Sequence, residues 1–329
     1  EKPNVIVWNY ARKNNIKAIK HASKLGIYNI VHDTEGIPYD LSNYFKAISD
    51  KELGYIKEIW CWGSKQAKIL QERNLKLKEK VKITVTGSIR YEHAKSLPKC
   101  NYQMNLGKIV WNTNYAMISP RYQSRWKEFS EYHFINNVSY PEILDLFIQV
   151  ASKRQSCTEY IKFFLKEIKN ISFTIRPHPF ESSLFYERNI LDEFSNAKIS
   201  RSQDIQVDLE DHSLVLQNGC QTSLDAFIRG IPSIRIDQKQ YNIWSEVTPY
   251  IDPVELASNY SSKEFLDNIL RQQAYLFDKY NVQSVLFNLN NQYYNPYPNK
   301  DYQVNPINNR RYKLTYYIFL SKLIVITNI

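Results

Sequence analysis

The run Thr174-Ile175-Arg176-Pro177-His178-Pro179-Phe180-Glu181 follows an apolar segment, residues 171–175, that reads as a β-strand. Its polar side chains therefore fall at the strand's carboxyl end. Arg176 supplies a fixed cation and His178 a donor of tunable charge, a combination suited to a diphosphate or phosphodiester. The flanking prolines restrict the backbone around His178 and lower the entropy cost of aiming it. Glu181 is expected to accept from ribose hydroxyls. The competing reading is a rigid strand-exit turn with a surface histidine.

A second run, Asn218-Gly219-Cys220-Gln221-Thr222-Ser223-Leu224-Asp225, follows the apolar segment 213–217. Thr222 and Asp225 fit the S/T-x-x-D/E capping pattern, so a helix is expected to begin near 222–223 with free N–H groups at its end. Oriented amides and the helix dipole favour an anion there. Thr222 and Ser223 add hydroxyls, and Asn218-Gly219 permits a tight turn. An ordinary capped crossover helix would look the same.

His32-Asp33-Thr34-Glu35-Gly36 places two carboxylates just after another strand. Glu35, or Asp33 as second choice, could act as general base on an acceptor hydroxyl or as general acid on a leaving group. The alternative is a loop whose acids cap the next helix. Trp111-Asn112-Thr113-Asn114 and Thr86-Gly87-Ser88-Ile89-Arg90 are weaker signals. Asn114 could line a nucleotide, and Arg90 could reach a phosphate or an acidic sugar.

The elements that would position these residues alternate. Strands are expected near 5–8, 28–31, 58–62, 82–86, 108–111, 171–175, 213–217 and 232–236. Helices are expected near 11–25, 65–73, 141–153, 157–169, 222–229 and 262–282. This is an α/β pattern with parallel sheets. It suggests three regions: 1–100, an N-terminal Rossmann-like domain; 101–288, a second one; and 289–329, a tail. The 314–329 segment is apolar but contains Lys322, so it is expected to rest on a membrane surface or pack as an extension rather than span a bilayer. The first block is short for its class, and the chain opens without a Met, so strands upstream of Glu1 are expected to be missing.

Composition excludes several classes. The 329 residues hold only 8 glycines, and no G-x-G-x-x-G or P-loop can be built from their positions. The 4 cysteines form no C-x-x-C, which argues against a zinc or redox motif and favours a reducing cytoplasm. No signal peptide is visible. Forty-three Lys and Arg against 33 Asp and Glu give a net charge of +10, which attracts polyanions. No basic-aromatic cluster marks a nucleic-acid groove, so nucleic acid is not an expected partner.

Taken in order, H-D-T-E-G, T-G-S-I-R, W-N-T-N, R-P-H-P-F-E and N-G-C-Q-T-S-L-D-A-F-I-R-G-I-P-S-I resemble the bacterial surface-carbohydrate biosynthesis proteins. These are a GT-B-type glycosyltransferase group similar to the Kdo transferases of capsule and lipopolysaccharide assembly. The resemblance covers about residues 3–260. It implies two Rossmann-like domains whose parallel sheets face a central cleft, with nucleotide-sugar in the C-terminal domain and the glycan or glycolipid acceptor mostly in the N-terminal one. It implies no catalytic metal and no cofactor besides the nucleotide-sugar. It also implies a cytoplasmic location, peripheral on the inner membrane in one version. His178-Pro179 and the hydroxyls at 222–223 look like the CMP-binding motifs of bacterial sialyltransferases, so a CMP-activated acidic sugar such as Kdo is the favoured donor. On this reading Arg176, His178, Thr222 and Ser223 stabilise the leaving phosphate, and Glu35 or Asp33 handles the proton. Asn112 and Asn114 stand where a retaining relative would be served by a carboxylate. The alternatives are a CDP-glycerol or CDP-ribitol phosphotransferase of teichoic-acid-like polymers, a sugar-nucleotide epimerase, and a non-catalytic glycan- or membrane-binding relative.

Overall fold

Short apolar runs separated by helices have one stable solution, a parallel sheet covered by its own crossovers. The chain does this twice. A computed structural model describes residues 3–9, 11, 15–32, 50–74, 81–136, 139–202, 204–239, 243–279, 318–319 and 323–326. It divides into two compact units, Glu1–Glu92 with Asn281–Ile329, and His93–Tyr280.

In the first unit β1 (Val5–Trp8), α1 (Ile16–Lys24), β2 (Tyr28–His32), α2 (Asp50–Leu53), β3 (Glu58–Cys61), α3 (Ser64–Asn74) and β4 (Lys82–Val85) follow in order, and α4 (Ile89–Ser96) leaves the last strand. The four strands pair in parallel, in sequence. Helix α1 buries Ile16, Ile19 and Ala22, one stripe at helical spacing. Gly26 ends it at φ 73°, a left-handed conformation that glycine adopts without strain.

The second unit holds β5 (Lys108–Asn112), α5 (Arg125–Asn136), α6 (Tyr140–Glu167), β6 (Ser172–Arg176) and α7 (Leu184–Tyr186), the last running into a π-helical turn over Glu187–Leu191. Then come β7 (Ala197–Ile199), α8 (Ile205–Glu210), β8 (Leu214–Gln217), α9 (Thr222–Arg229), β9 (Ser233–Arg235), α10 (Ile243–Glu246), α11 (Pro253–Asn259) and α12 (Lys263–Lys279). The strand order is β7-β6-β5-β8-β9, all parallel. Ile109, Val110 and Trp111 of β5 are wholly buried at the centre of this sheet. From β5 the chain runs outward to β6 and β7, then returns to β5's other side for β8 and β9. The direction reverses between β5 and β8, and ligands of open α/β sheets bind outside the carboxyl ends of strands at such a point.

The tail supplies β10 (Ile318–Phe319) and β11 (Leu323–Ile326), and β11 pairs antiparallel with β1. The first sheet thus has six strands, in the order β10-β11-β1-β2-β3-β4.

Two expectations are corrected. The separate helices at 141–153 and 157–169 are one 28-residue helix, α6. Its polar stretch around residues 152–156 contains no Gly or Pro, so nothing there breaks the backbone ladder. Strand β7 was not expected. Three residues at a sheet edge are too few to show a period of two.

Candidate functional site

The last residue of β5, Asn112, and the last of β8, Gln217, are in-register neighbours. Asn112 is only 2% exposed, and neither its Oδ1 nor its Nδ2 has a hydrogen-bond partner among the described residues. Gln217 Oε1 accepts from the backbone N–H of Gly219 at 2.7 Å and from that of Cys220, while its Nε2 is unpartnered. Asn218 Oδ1, Thr222 Oγ1 and Ser223 Oγ, all buried, are unpartnered as well. An unsatisfied buried polar group costs roughly 1–3 kcal/mol, and most such groups in folded proteins find partners. Six of these atoms therefore collect on two adjacent strand ends and the start of one helix. A smaller set, His32 Nδ1 and Ser88 Oγ, lies at the carboxyl edge of the first sheet.

Helix α9 starts at Thr222, as expected, but its cap is different. The N-cap residue is Gln221, without a side-chain cap bond, and Thr222 is the first helical residue. The Thr222–Asp225 box does not form; Asp225 is buried and accepts instead from Gln206 Nε2 at 3.4 Å. The amides of Gly219 and Cys220 are held by Gln217, and those of Ser223 and Leu224 reach back to Cys220 O and Gln221 O. The loop amides expected to be free are thus largely used internally. Side-chain hydroxyls and carboxamides, with the helix dipole, are what remain for an anion. Gly219 sits at φ 85°, which lets the chain turn between β8 and α9.

The β6 exit is organised by Glu181 rather than offered by it. Glu181 Oε2 accepts from Thr113 Oγ1 at 2.7 Å, from Tyr115 N at 3.0 Å and from His178 N at 3.4 Å, and Oε1 accepts from Tyr186 Oη at 2.5 Å. It is 2% exposed. Burial pushes its carboxyl above the ordinary range, against the pull of these donors. Its acceptor sites are used in joining the β5 and β6 exit loops, so it is not placed to bind ribose. Arg176 is also engaged: its Nε donates to Asp208 Oδ2 at 2.8 Å in a buried pair. Half-buried His178 accepts from Phe180 N at Nδ1 (3.3 Å), which in the neutral ring puts the proton on Nε2. The strands leading to His178 and to Thr222 flank β5 on either side, about 10 Å apart along the sheet edge.

Asp33 and Glu35 lie outside the described residues. His32, just before them, donates through Nε2 to Gly87 O at 2.9 Å, and burial holds its pKa down. Arg90, on α4, places its guanidinium 5.9 Å from the Tyr91 ring centre. Asn114 is exposed beyond the end of β5.

Sequence reading missed Lys153. Its Nζ donates to Asn218 O at 2.8 Å and lies 3.9 Å from Asp237 Oδ2, and burial lowers its pKa. Lying 65 positions from Asn218 on a polar stretch of α6, it carries no local signal.

A larger groove, about 840 Å³, runs beside β7 and includes Thr174, Lys198, Ser200, Asp208 and His212. Its buried side-chain polar atoms are already matched. His212 Nδ1 donates to Asp208 O, its Nε2 accepts from Thr174 Oγ1 at 2.8 Å, and Ser200 Oγ donates to Asp208. None of the sequence-predicted site residues lines it. The unsatisfied groups, not the volume, single out the β5–β8 edge. Among the described residues there is no cluster of three or more metal-ligating side chains. No helix among them is long and apolar enough to cross a membrane.

No family model matches the chain. No curated protein matches it either. Solved structures similar to it include the UDP-GlcNAc 2-epimerase of Neisseria meningitidis bound to UDP-GlcNAc, at 12% identity and TM-score 0.48, over 83% of this chain and 71% of that one. The S. aureus MnaA–UDP co-structure gives 10% identity and TM-score 0.49, over 86% and 76%. The wall teichoic acid polymerase TagF gives 10% and 0.43, over 78% and 64%.

Proposed function

We propose that the second unit binds a nucleotide at the carboxyl ends of β5 and β8, and that the chain is a GT-B-type glycosyltransferase moving a sugar from a nucleotide donor to a surface-glycan acceptor. The observation that carries this reading is the set of unpartnered buried atoms on Asn112, Gln217, Asn218, Thr222 and Ser223 at the sheet's reversal point. Hydroxyl and carboxamide groups of both hydrogen-bonding senses suit a base, a ribose and phosphate oxygens. His178, through Nε2–H, Thr222, Ser223 and the α9 dipole would stabilise the leaving phosphate where charge develops. Lys153 adds positive charge nearby. Asn114 and Arg90 would line the substrates, and Glu35 or Asp33 would take the acceptor proton. The favoured donor is a CMP-activated acidic sugar such as Kdo.

The test uses the whole chain with CMP, CDP, UDP and GDP in a thermal-shift titration, then follows turnover of CMP-sugars against CDP-glycerol. A ligand at a hundred times its Kd stabilises by about 2.7 kcal/mol. The expected result is stabilisation by a cytidine nucleotide, lost in Ser223→Ala, and turnover at least about tenfold lower in His178→Ala. If no nucleotide stabilises the chain, the reading fails. Consumption of CDP-glycerol alone would replace sugar transfer with alcohol-phosphate transfer at the same site.

A further inference from the structure

A second cavity, about 350 Å³, opens between the β5 exit loop and the π-helical turn. Ser119, Gln123 and Arg125 form one wall, and Ser182, Phe185 and Arg188 the other. Its size is at the low end for small-molecule sites, about 300–1,000 Å³, and suits one monosaccharide rather than a nucleotide.

Three arginines meet here. Arg125 and Arg188 are exposed in the walls and form no ion pair among the described residues. Arg154, on α6, is buried behind them: its Nη1 donates to Ser119 Oγ at 2.5 Å, and its guanidinium lies 3.8 Å from the Phe185 ring centre. Both contact residues line the cavity. Burial lowers the Arg154 pKa, against the pull of Tyr186 and Glu181.

Glu181 offsets part of the Arg154 charge, but among the described residues none of the neighbouring acids forms an ion pair with Arg125, Arg154 or Arg188. Glu181 is occupied by its four donors. Glu128 and Glu131 both receive Gln123 Nε2, and Lys127 lies 3.8 Å from Glu131. Glu187 accepts from Ser183 Oγ at 2.6 Å.

The cavity is built on the loops that carry the candidate nucleotide residues. Arg121 N donates to Phe180 O and Ser182 N to Ser119 O, each at 2.8 Å, and Pro120 and Glu181 form an antiparallel bridge. That short ladder holds the cavity wall against the loop bearing His178.

We propose that this cavity is an anion site for the carboxylate or phosphate of one sugar unit, gripped by Arg125 and Arg188 over the fixed charge of Arg154. A guanidinium fork matches either oxyanion in two parallel hydrogen bonds. The inference rests on the glycosyltransferase reading for its sugar, and its test is independent of nucleotide.

The whole chain is titrated calorimetrically with D-glucuronate, glucose 1-phosphate and glucose. Binding of at least one acidic sugar, without measurable binding of glucose, is expected; which acid binds tells carboxylate from phosphate. Arg125→Gln with Arg188→Gln should weaken that binding at least tenfold, whereas Ser223→Ala should leave it within twofold. Both arginines are exposed, so the fold should tolerate the changes. Equal binding of glucose, no binding of either acid, unchanged affinity in the double variant, or loss in Ser223→Ala each overturns the proposal. Acid-sugar binding in a chain that ignores every nucleotide would sink the transferase reading and leave the anion site standing.

Discussion

Asn112 and Gln217 close neighbouring parallel strands in register, and each holds a buried amide nitrogen that finds no acceptor among the described residues. Both sit where the sheet reverses direction. Such carboxamides are a stability defect that a bound ligand would remove.

Asn112→Leu should therefore stabilise the ligand-free protein while abolishing nucleotide binding. The change removes two unsatisfied atoms while keeping the same branching, so a gain of about 1–3 kcal/mol is expected. Urea unfolding measures the first effect and nucleotide titration the second. A destabilised variant that still bound nucleotide would show that Asn112 is merely packed.

Glu181→Gln should do the reverse. The amide offers N–H groups where the carboxylate accepts from Thr113, Tyr115, His178 and Tyr186. At least one of those donors loses its partner, at about 1–3 kcal/mol. A lower melting temperature with loosened exit loops is the expected outcome, checked by denaturation and amide hydrogen exchange at residues 113–121 and 177–183. Unchanged exchange would show that the loops stand without Glu181.

His32 and His212 set an acid limit on stability. Burial holds both below the ordinary histidine value of 6.5. Protonated His212 could no longer accept from Thr174 at Nε2. Above pH 6.5 both folded and unfolded chains carry these rings neutral. Below it the unfolded chain binds protons that the folded chain refuses, so stability falls with falling pH. The slope reaches about 1.4 kcal/mol per pH unit for each ring. Urea melts between pH 7.5 and 5.5 should show the decline, and His212→Asn should flatten it; an equally steep slope in that variant would assign it to other groups.

The sequence carried the α/β alternation and the α9 boundaries well, because both rest on local pattern: apolar runs bounded by Gly and Pro, and a stripe ending at Gly230. It carried partner choice poorly. Arg176 and Glu181 look like ligand residues beside His178, yet Asp208, 32 positions on, and Thr113, 68 positions back, claim them. Lys153 gave no signal for the same reason. The Thr222–Asp225 box matched a motif, but the cap falls on Gln221, one residue earlier. Residue type shows what a side chain can do; the fold decides what it is free to do.

Helix α6 carries Lys153 and Arg154 in succession, the first on the Asn218 carbonyl and the second on Ser119 and Phe185. Consecutive helical residues diverge by about 100°, so one rod props two candidate regions from different sides. A twist or slide of that rod would disturb both together. The candidate nucleotide edge and the arginine-lined cavity therefore hang from one shared support.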